Sequence, residues 1–213
     1  KRIFNTLNSG KEKSQVMFVG GCVRKYLLNE KVGDIDIATI LTPEEIIKKF
    51  ENSDILVKKT GIEHGTLTLV LNNQHFEITT LRKDISTDGR HATVSFTNDW
   101  YEDSNRRDFT INAIYLNQKG KIFDPQSGVS DLKNKKIKFI GDPDKRIKED
   151  YLRILRYLRF FAHYSKHPHN PELIRKLKIN IGGISKLSKE RLLDELKKIT
   201  HLEILEKLAD DKL

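Results

Sequence analysis

The apolar and polar positions of the first two-thirds of the chain predict short strands with helices between them. Val16-Met17-Phe18-Val19 is an apolar run that stops at Gly20-Gly21, as a strand entering a turn does. Val23, Tyr26 and Leu27 stand at i, i+3 and i+4, so a helix is predicted over 23–29. Residues 34–39 alternate carboxylates with apolar side chains, the pattern of a half-buried strand. In Thr42-Pro43-Glu44-Glu45 an N-cap residue precedes a proline and two acids, which predicts a helix to about Phe50. Antiparallel strands are predicted at 55–59, 66–71 and 75–81, the last two joined by an Asn72-Asn73 turn. Residues 82–100 hold few apolar positions and a Thr87-Asp88-Gly89 turn, and are predicted to form a mobile loop. A helix is expected to begin at Ser104 and carry towards Leu116, followed by Ile122-Phe123 and a turn at Asp124-Pro125-Gln126-Ser127-Gly128.

After Gly141-Asp142-Pro143 the period becomes helical. Tyr151, Ile154, Leu155, Leu158 and Ala162 form one stripe, and further helices are predicted at about 171–179, 188–198 and 201–209. No segment repeats. The fold expected is α+β over residues 1–140, followed by an all-α domain over 141–213.

The length, 213 residues, is enough to bury a core without covalent staples. Lys and Arg total 39 against 30 Asp and Glu, a net charge of +9. That excess permits a polyanionic partner without requiring one. A single cysteine, Cys22, excludes an internal disulfide framework and a multi-cysteine zinc site. No apolar run approaches the roughly 18 residues of a membrane span, and the amino end lacks a signal pattern. A soluble, cytoplasmic chain with no membrane partner is expected.

The sharpest chemical feature is Asp34-Ile35-Asp36. On a strand, residues i and i+2 share a face, so both carboxylates point one way. Carboxylates this close repel one another unless a proton or a cation intervenes. Hard oxygen ligands suit Mg²⁺, which takes one or two carboxylates and completes its shell with water and substrate phosphates. An isolated Asp-x-Asp is more often a solvated strand face. A calcium loop is excluded, because Thr39 stands where its sixth position requires glycine and Ala38 cannot ligate. In Phe76-Glu77-Ile78 the alternation turns Glu77 away from the core, and it joins the acidic pair if the two strands are neighbours.

Gly20-Gly21 lets backbone N–H groups approach an anion, and Arg24 adds a charged donor, although a plain tight turn is the commoner meaning of two glycines. Beside the acidic pair, this suggests a nucleoside triphosphate and a metal held together. Arg106-Arg107-Asp108 is either an exposed salt-bridged turn or a site with Arg107 on phosphate and Asp108 on ribose hydroxyls. Asp150, Arg153, Arg156 and Arg159 recur every third residue. An Asp150–Arg153 pair is either an ordinary surface pair or a donor–acceptor set able to read a base edge. His163, His167 and His169 cluster, but Pro168 and the lack of a fourth ligand argue against zinc. The basic run Lys133, Lys135, Lys136 and Lys138 is a solvated face or a contact for tRNA phosphates.

Taken in order, these motifs resemble the class II tRNA nucleotidyltransferase (CCA-adding enzyme) and bacterial poly(A) polymerase superfamily. Val19-Gly20-Gly21-Cys22-Val23-Arg24 with Gly33-Asp34-Ile35-Asp36 resembles its first motif, and Arg106-Arg107-Asp108-Phe109-Thr110-Ile111-Asn112-Ala113 its second. Asp124-Pro125 to Gly128 is similar to the third. Glu149-Asp150-Tyr151-Leu152-Arg153-Ile154-Leu155-Arg156 resembles the fourth, an amino-acid template for CTP or ATP, and residues 188–198 the fifth. The resemblance implies a polymerase-beta-like nucleotidyltransferase head with a mixed or antiparallel sheet, and a helical neck. It implies Mg²⁺ on Asp34 and Asp36, with Glu77 as a third catalytic carboxylate. Nucleotide contacts are implied for Gly20, Gly21, Arg24, Arg107, Asp108, Asp150, Arg153, Arg156 and Arg159.

The activity implied is addition of C, C and A from CTP and ATP to the tRNA 3′ end. It would proceed by two-metal in-line transfer with release of pyrophosphate. Residues 82–100 correspond to the flexible loop of enzymes that add the terminal A. Lys25 and Asn29 stand where the family has Asp and Gly, and the family continues into body and tail domains that grip the tRNA. A poly(A) polymerase, an A-adding enzyme and a catalytically lapsed tRNA-binding fragment are the alternatives. Oligomeric state is left open.

Overall fold

The structure, a computed structural model, describes residues 1–10, 14–87 and 92–199. Helix α1 (Arg2–Leu7) turns Ile3, Phe4 and Leu7 inward and leads to strand β1 (Val16–Val19). Helix α2 (Gly21–Leu27) follows directly, because Gly20 reverses the chain with φ +73°, a conformation in the left-handed region. Strand β2 (Ile35–Thr39) pairs antiparallel with β1. Helix α3 (Pro43–Phe50) starts at Thr42, whose hydroxyl accepts from the Glu45 N–H at 3.3 Å while Glu45 accepts from the Thr42 N–H at 2.8 Å. This reciprocal capping box is what the Thr-Pro-Glu-Glu spacing encodes locally.

Strands β3 (Leu56–Gly61), β4 (Thr66–Leu71) and β5 (Gln74–Thr80) form an antiparallel meander, with β4 and β5 joined through Asn72 and Asn73 at positive φ. Strand β5 then lies parallel to β2, with Asp36 opposite Glu77. Two short strands, β8 (Tyr115–Leu116) and β9 (Ile122–Phe123), complete a mixed seven-stranded sheet in the order β3-β4-β5-β2-β1-β8-β9, and a separate hairpin of β6 (Arg82–Thr87) and β7 (Ala92–Phe96) lies between β5 and β8 in the chain. Ile37, Leu67, Leu69 and Ile78 alternate onto one face, where α1 and α3 cover them with Phe4, Leu7, Ile46 and Phe50. Each such side chain, fully buried, contributes about 1.5–3 kcal/mol. The odd-even alternation leaves the carboxylates of β2 and β5 on the opposite face.

Three expectations are corrected. Residues 82–100 contain strands β6 (Arg82–Thr87) and β7 (Ala92–Phe96), paired antiparallel, rather than a loop alone. Backbone pairing makes this hairpin, and Thr97 N–H to Leu81 O at 2.9 Å anchors its base; the turn at Asp88-Gly89 lies outside the described residues. Helix α4 (Trp100–Asn105) ends where a helix was expected to begin, capped by Asp99 on the Tyr101 N–H at 2.7 Å. After it the chain makes a bridge from Phe109 to Phe139 and a 3₁₀ turn, Thr110–Asn112, before β8. Phe109, Ile111, Ala113, Ile114 and Tyr115 are all fully buried, so the run has no solvent face for an amphipathic helix to present.

Among the described residues the α-helices that follow are α5 (Gly128–Lys133), α6 (Pro143–Glu149), α7 (Leu152–Tyr164), α8 (Pro171–Asn180) and α9 (Lys189–Ile199), with a 3₁₀ turn over Ile181–Lys186. The apolar stripe of α7 is the third correction. Ile154, Tyr157, Phe160 and Phe161 pack against Cys22, Val23, Phe109 and Phe139 of the sheet-bearing part. Leu155 and Ala162 pack instead with Leu196 and Ile199 of α9. A helix gripped from two sides carries two apolar stripes: Tyr151, Ile154 and Leu158 of the expected stripe belong with the first, Leu155 and Ala162 with the second, and Tyr157, Phe160 and Phe161 extend the first beyond it. The helix expected at 201–209 lies outside the described residues. Among those described, no helix is long and apolar enough to cross a membrane.

Candidate active site

The acidic centre is built by the sheet. Asp36 is in β2, Asp34 just precedes it, and Glu77 stands opposite Asp36 on β5. The turn at Gly20 comes close behind, since a side chain there would meet Asp36 Oδ2 at 3.8 Å. The buried Cys22 thiol donates to Val19 O at 3.2 Å and Asp36 O at 3.5 Å, tying the glycine turn to the strand. Burial pushes the Asp36 carboxyl above the usual carboxylate range; Asp34 adds to the rise, and Arg107 and Arg24 offset only part of it. Glu77 is likewise raised, by partial desolvation first and then by the Asp36 and Asp34 charges.

A second group holds the arginines. Arg24 is 6% exposed; its Nη1 donates to Asn112 Oδ1, and its guanidinium lies 4.8 Å from the Phe160 ring and 4.9 Å from the Tyr164 ring. The buried Nε of Arg24 has no hydrogen-bond partner among the described residues. Asn112 Nδ2 donates to Asp108 Oδ1 at 2.9 Å, and Arg156 Nε donates to Asp108 Oδ2 at 2.7 Å. Burial alone would raise the Asp108 carboxyl, but the Arg156 charge, with the Asn112 and Phe109 N–H donors, outweighs it and brings the carboxyl down to about 2. Arg107 leans on buried Asp103, with Nη2 to Oδ2 at 3.0 Å. Arg146 donates from Nη2 to Arg107 O at 2.8 Å and so fixes the backbone of the same turn.

The template segment differs from its expected pairing. Helix α6 ends at Glu149, and Asp150 is extended with φ −156°, so Asp150 and Arg153 do not share one continuous helix face. Arg153 Nη1 donates to Glu149 Oε2 at 2.6 Å and to Arg146 O at 2.7 Å. Asp150 accepts from Arg191 Nη2 at 2.7 Å and caps α7 through the Leu152 N–H at 3.2 Å. Tyr151 between them lies flat on Gly183, where a Cβ would come within 2.1 Å of the ring, so residue 183 has room only for glycine. Arg159 Nε donates to Glu195 Oε1 at 2.6 Å, and Arg156 reaches the same carboxylate at 4.0 Å.

These groups line one cavity of about 650 Å³. Asp34, Asp36, Gly20, Gly21, Arg24, Arg107, Asp108, Asp150, Arg153, Arg156 and Arg159 all border it; Glu77 does not, although it adjoins Asp36 on the sheet. Asn112, Glu149 and Glu195 were not singled out as site residues. A signal existed for Glu149, four positions before Arg153, but Glu195 pairs 36 residues away and left none. The histidines are used structurally: His169 stacks on Phe161 at 3.6 Å and His167 Nε2 meets Asn134 O at 2.7 Å. Among the described residues no group of three or more His, Cys, Asp or Glu side chains could hold an ion alone. The acidic centre fits Mg²⁺ on those terms: two adjacent hard carboxylates, one of them held in surroundings that disfavour its charge despite Arg107 and Arg24, so that a cation completed by water and phosphate oxygens would relieve it.

A mixed sheet that aims an Asp-x-Asp pair at an arginine-lined cavity, with a glycine turn alongside, has the architecture of a polymerase-type head domain. A family model described as "Poly A polymerase head domain" matches residues 16–138. The chain belongs to that family, which includes the class II CCA-adding enzymes. It is 46% identical over 192 residues to human "CCA tRNA nucleotidyltransferase 1, mitochondrial", covering 89% of this chain and 44% of the relative. It is 39% identical over 195 residues to the "CCA-adding enzyme" of Staphylococcus saprophyticus, covering 91% and 48%. The crystal structure of the Bacillus stearothermophilus CCA-adding enzyme in complex with CTP superposes with a TM-score of 0.80 at 32% identity, over 93% of this chain and 47% of that one. The chain thus spans less than half the length of these curated relatives.

Proposed function

We propose that the chain transfers nucleotides from CTP and ATP to the 3′ end of tRNA, adding C, C and A. The observation that carries the proposal is the single cavity in which Asp34 and Asp36 face Gly20-Gly21, Arg107 and the arginines of α7. It is supported by the relatives named CCA-adding enzymes and by the net charge of +9, which suits a polyanionic partner.

In this reading Asp34 and Asp36 hold Mg²⁺, with Glu77 a supporting carboxylate. Magnesium bound there supplies charge neutralisation on the triphosphate and a lower pKa for the attacking hydroxyl. Gly20 and Gly21 let backbone N–H groups approach phosphate oxygens, and Arg24 offers its Nε, which has no partner among the described residues. Arg107 adds a planar donor fork to the phosphates. Asp108, kept ionised by Arg156, accepts from ribose hydroxyls. Asp150 accepts and Arg153 donates towards the base edge, each fixed by another partner, Arg191 and Glu149 respectively. Arg156 and Arg159 line the same wall, held by Glu195. Most of the acceleration comes from positioning and electrostatics.

The division into a head over 1–140 and an all-α neck over 141–213 belongs to the same proposal, supported by the change from sheet to helices at α6 and by a cavity bordered from both sides. So does a reducing, cytoplasmic setting, supported by the free, buried thiol of Cys22.

A tRNA transcript lacking CCA, offered labelled CTP and ATP singly and together, tests the proposal. Two C residues followed by one A are expected. Long A tails with CTP ignored would identify a poly(A) polymerase, A added only to a tRNA ending in CC an A-adding enzyme, and binding without incorporation a lapsed one.

A further inference from the structure

We infer that Asp103 is a positioning residue for the nucleotide, holding the Arg107 guanidinium in the orientation that meets the triphosphate. The inference rests on the reading of Arg107 as a phosphate contact. Asp103 is fully buried in α4, outside the cavity lining, and both of its oxygens are used. Oδ2 accepts from Arg107 Nε at 3.1 Å, Arg107 Nη2 at 3.0 Å and the Tyr115 hydroxyl at 2.7 Å. Oδ1 accepts from Arg106 Nε at 2.9 Å, Arg106 Nη2 at 2.7 Å and the Arg82 N–H at 3.3 Å. The Tyr115 hydroxyl also accepts from Arg107 Nε at 3.1 Å, and the Tyr115 ring lies 5.3 Å from the guanidinium carbon.

One edge of the Arg107 fork is therefore consumed by Asp103 and Tyr115, and the rest of a cavity-lining cation is left for a ligand. A guanidinium free to rotate pays for its immobilisation when phosphate binds; one already fixed by a buried carboxylate does not. Asparagine at 103 has nearly the same shape, but it carries no charge and sets an amide N–H₂ against one of the two guanidinium forks, so the hold on Arg107 is weakened in either orientation.

The test is equilibrium binding of CTP, ATP and inorganic tripolyphosphate, in magnesium, to the full chain. D103N is expected to weaken all three by a similar factor of about tenfold, since the phosphates are common to them. In an R107A background the same substitution is expected to cost nothing further, whereas a residue that only stabilises the fold would act additively. Unchanged affinity in D103N, or an equal loss with and without Arg107, overturns the inference. If R107A alone leaves tripolyphosphate binding unchanged, the phosphate reading of Arg107 falls, a different failure from that of Asp103. Should D103N not fold, Y115F carries the test by removing one hydroxyl. A smaller loss that disappears in the R107A background supports the inference, and unchanged affinity contradicts it.

Discussion

Asp36 is a side chain whose charged form the fold disfavours, as the proposed metal site requires. It sits beside Asp34 in partly desolvated surroundings, and its carboxyl is raised because the ionised form is disfavoured there. Asp36→Asn removes that partly desolvated charge, so the thermal midpoint is expected at or slightly above that of the wild type. Incorporation should fall on the order of 10³-fold, the equivalent of several kcal/mol of lost charge stabilisation. A variant that retains full incorporation would remove Asp36 from the mechanism. Asp34 and Asp36 were legible in the sequence because strand period places i and i+2 together whatever surrounds them. Asp103 was not. Its partners Arg106 and Arg107 are near in sequence, but it is fully buried and hydrogen-bonded to Tyr115, which only the folded sheet brings to it.

At the level of elements, short-range chemistry was readable and long-range contact was not. The capping box of α3 and the turn at Gly20 are written in adjacent residues. The β6–β7 hairpin escaped notice because its ladder pairs backbone groups across few apolar positions. The face of α7 was misjudged because both the sheet-bearing part and α9 press on it. The break at Asp150 bears most on the proposed reading of the base, since it separates Asp150 from Arg153 and gives each its own support. Arg153→Ala is expected to lower discrimination of CTP and ATP against GTP and UTP, measured as ratios of kcat/KM, by about tenfold for one lost base-reading group. Unchanged ratios would mean that the base is read elsewhere.

Across the whole molecule, Arg24, Asn112, Asp108 and Arg156 form a chain of polar contacts from α2 to α7. It crosses the same boundary as the apolar cluster of Phe109, Phe139, Tyr157 and Phe160, so packing and polar contacts hold the cavity walls together. The folded Asp108 carboxyl lies at about 2 against an ordinary 3.8. Its contribution, about 2 kcal/mol, is fully present above pH ~4 and is lost as the pH falls towards 2. The stability difference between wild type and Asp108→Asn, followed by denaturant unfolding, should therefore shrink across that window; a difference independent of pH would show that the ion pair contributes little. The central claim is that the acidic pair and the arginine wall hold one nucleotide with its metal. A crystal structure of the chain with CTP and magnesium tests it most directly. The account predicts an ion on Asp34 and Asp36 and the triphosphate between Gly20-Gly21 and Arg107. An ion-free acidic pair, or a nucleotide bound outside this cavity, would contradict it.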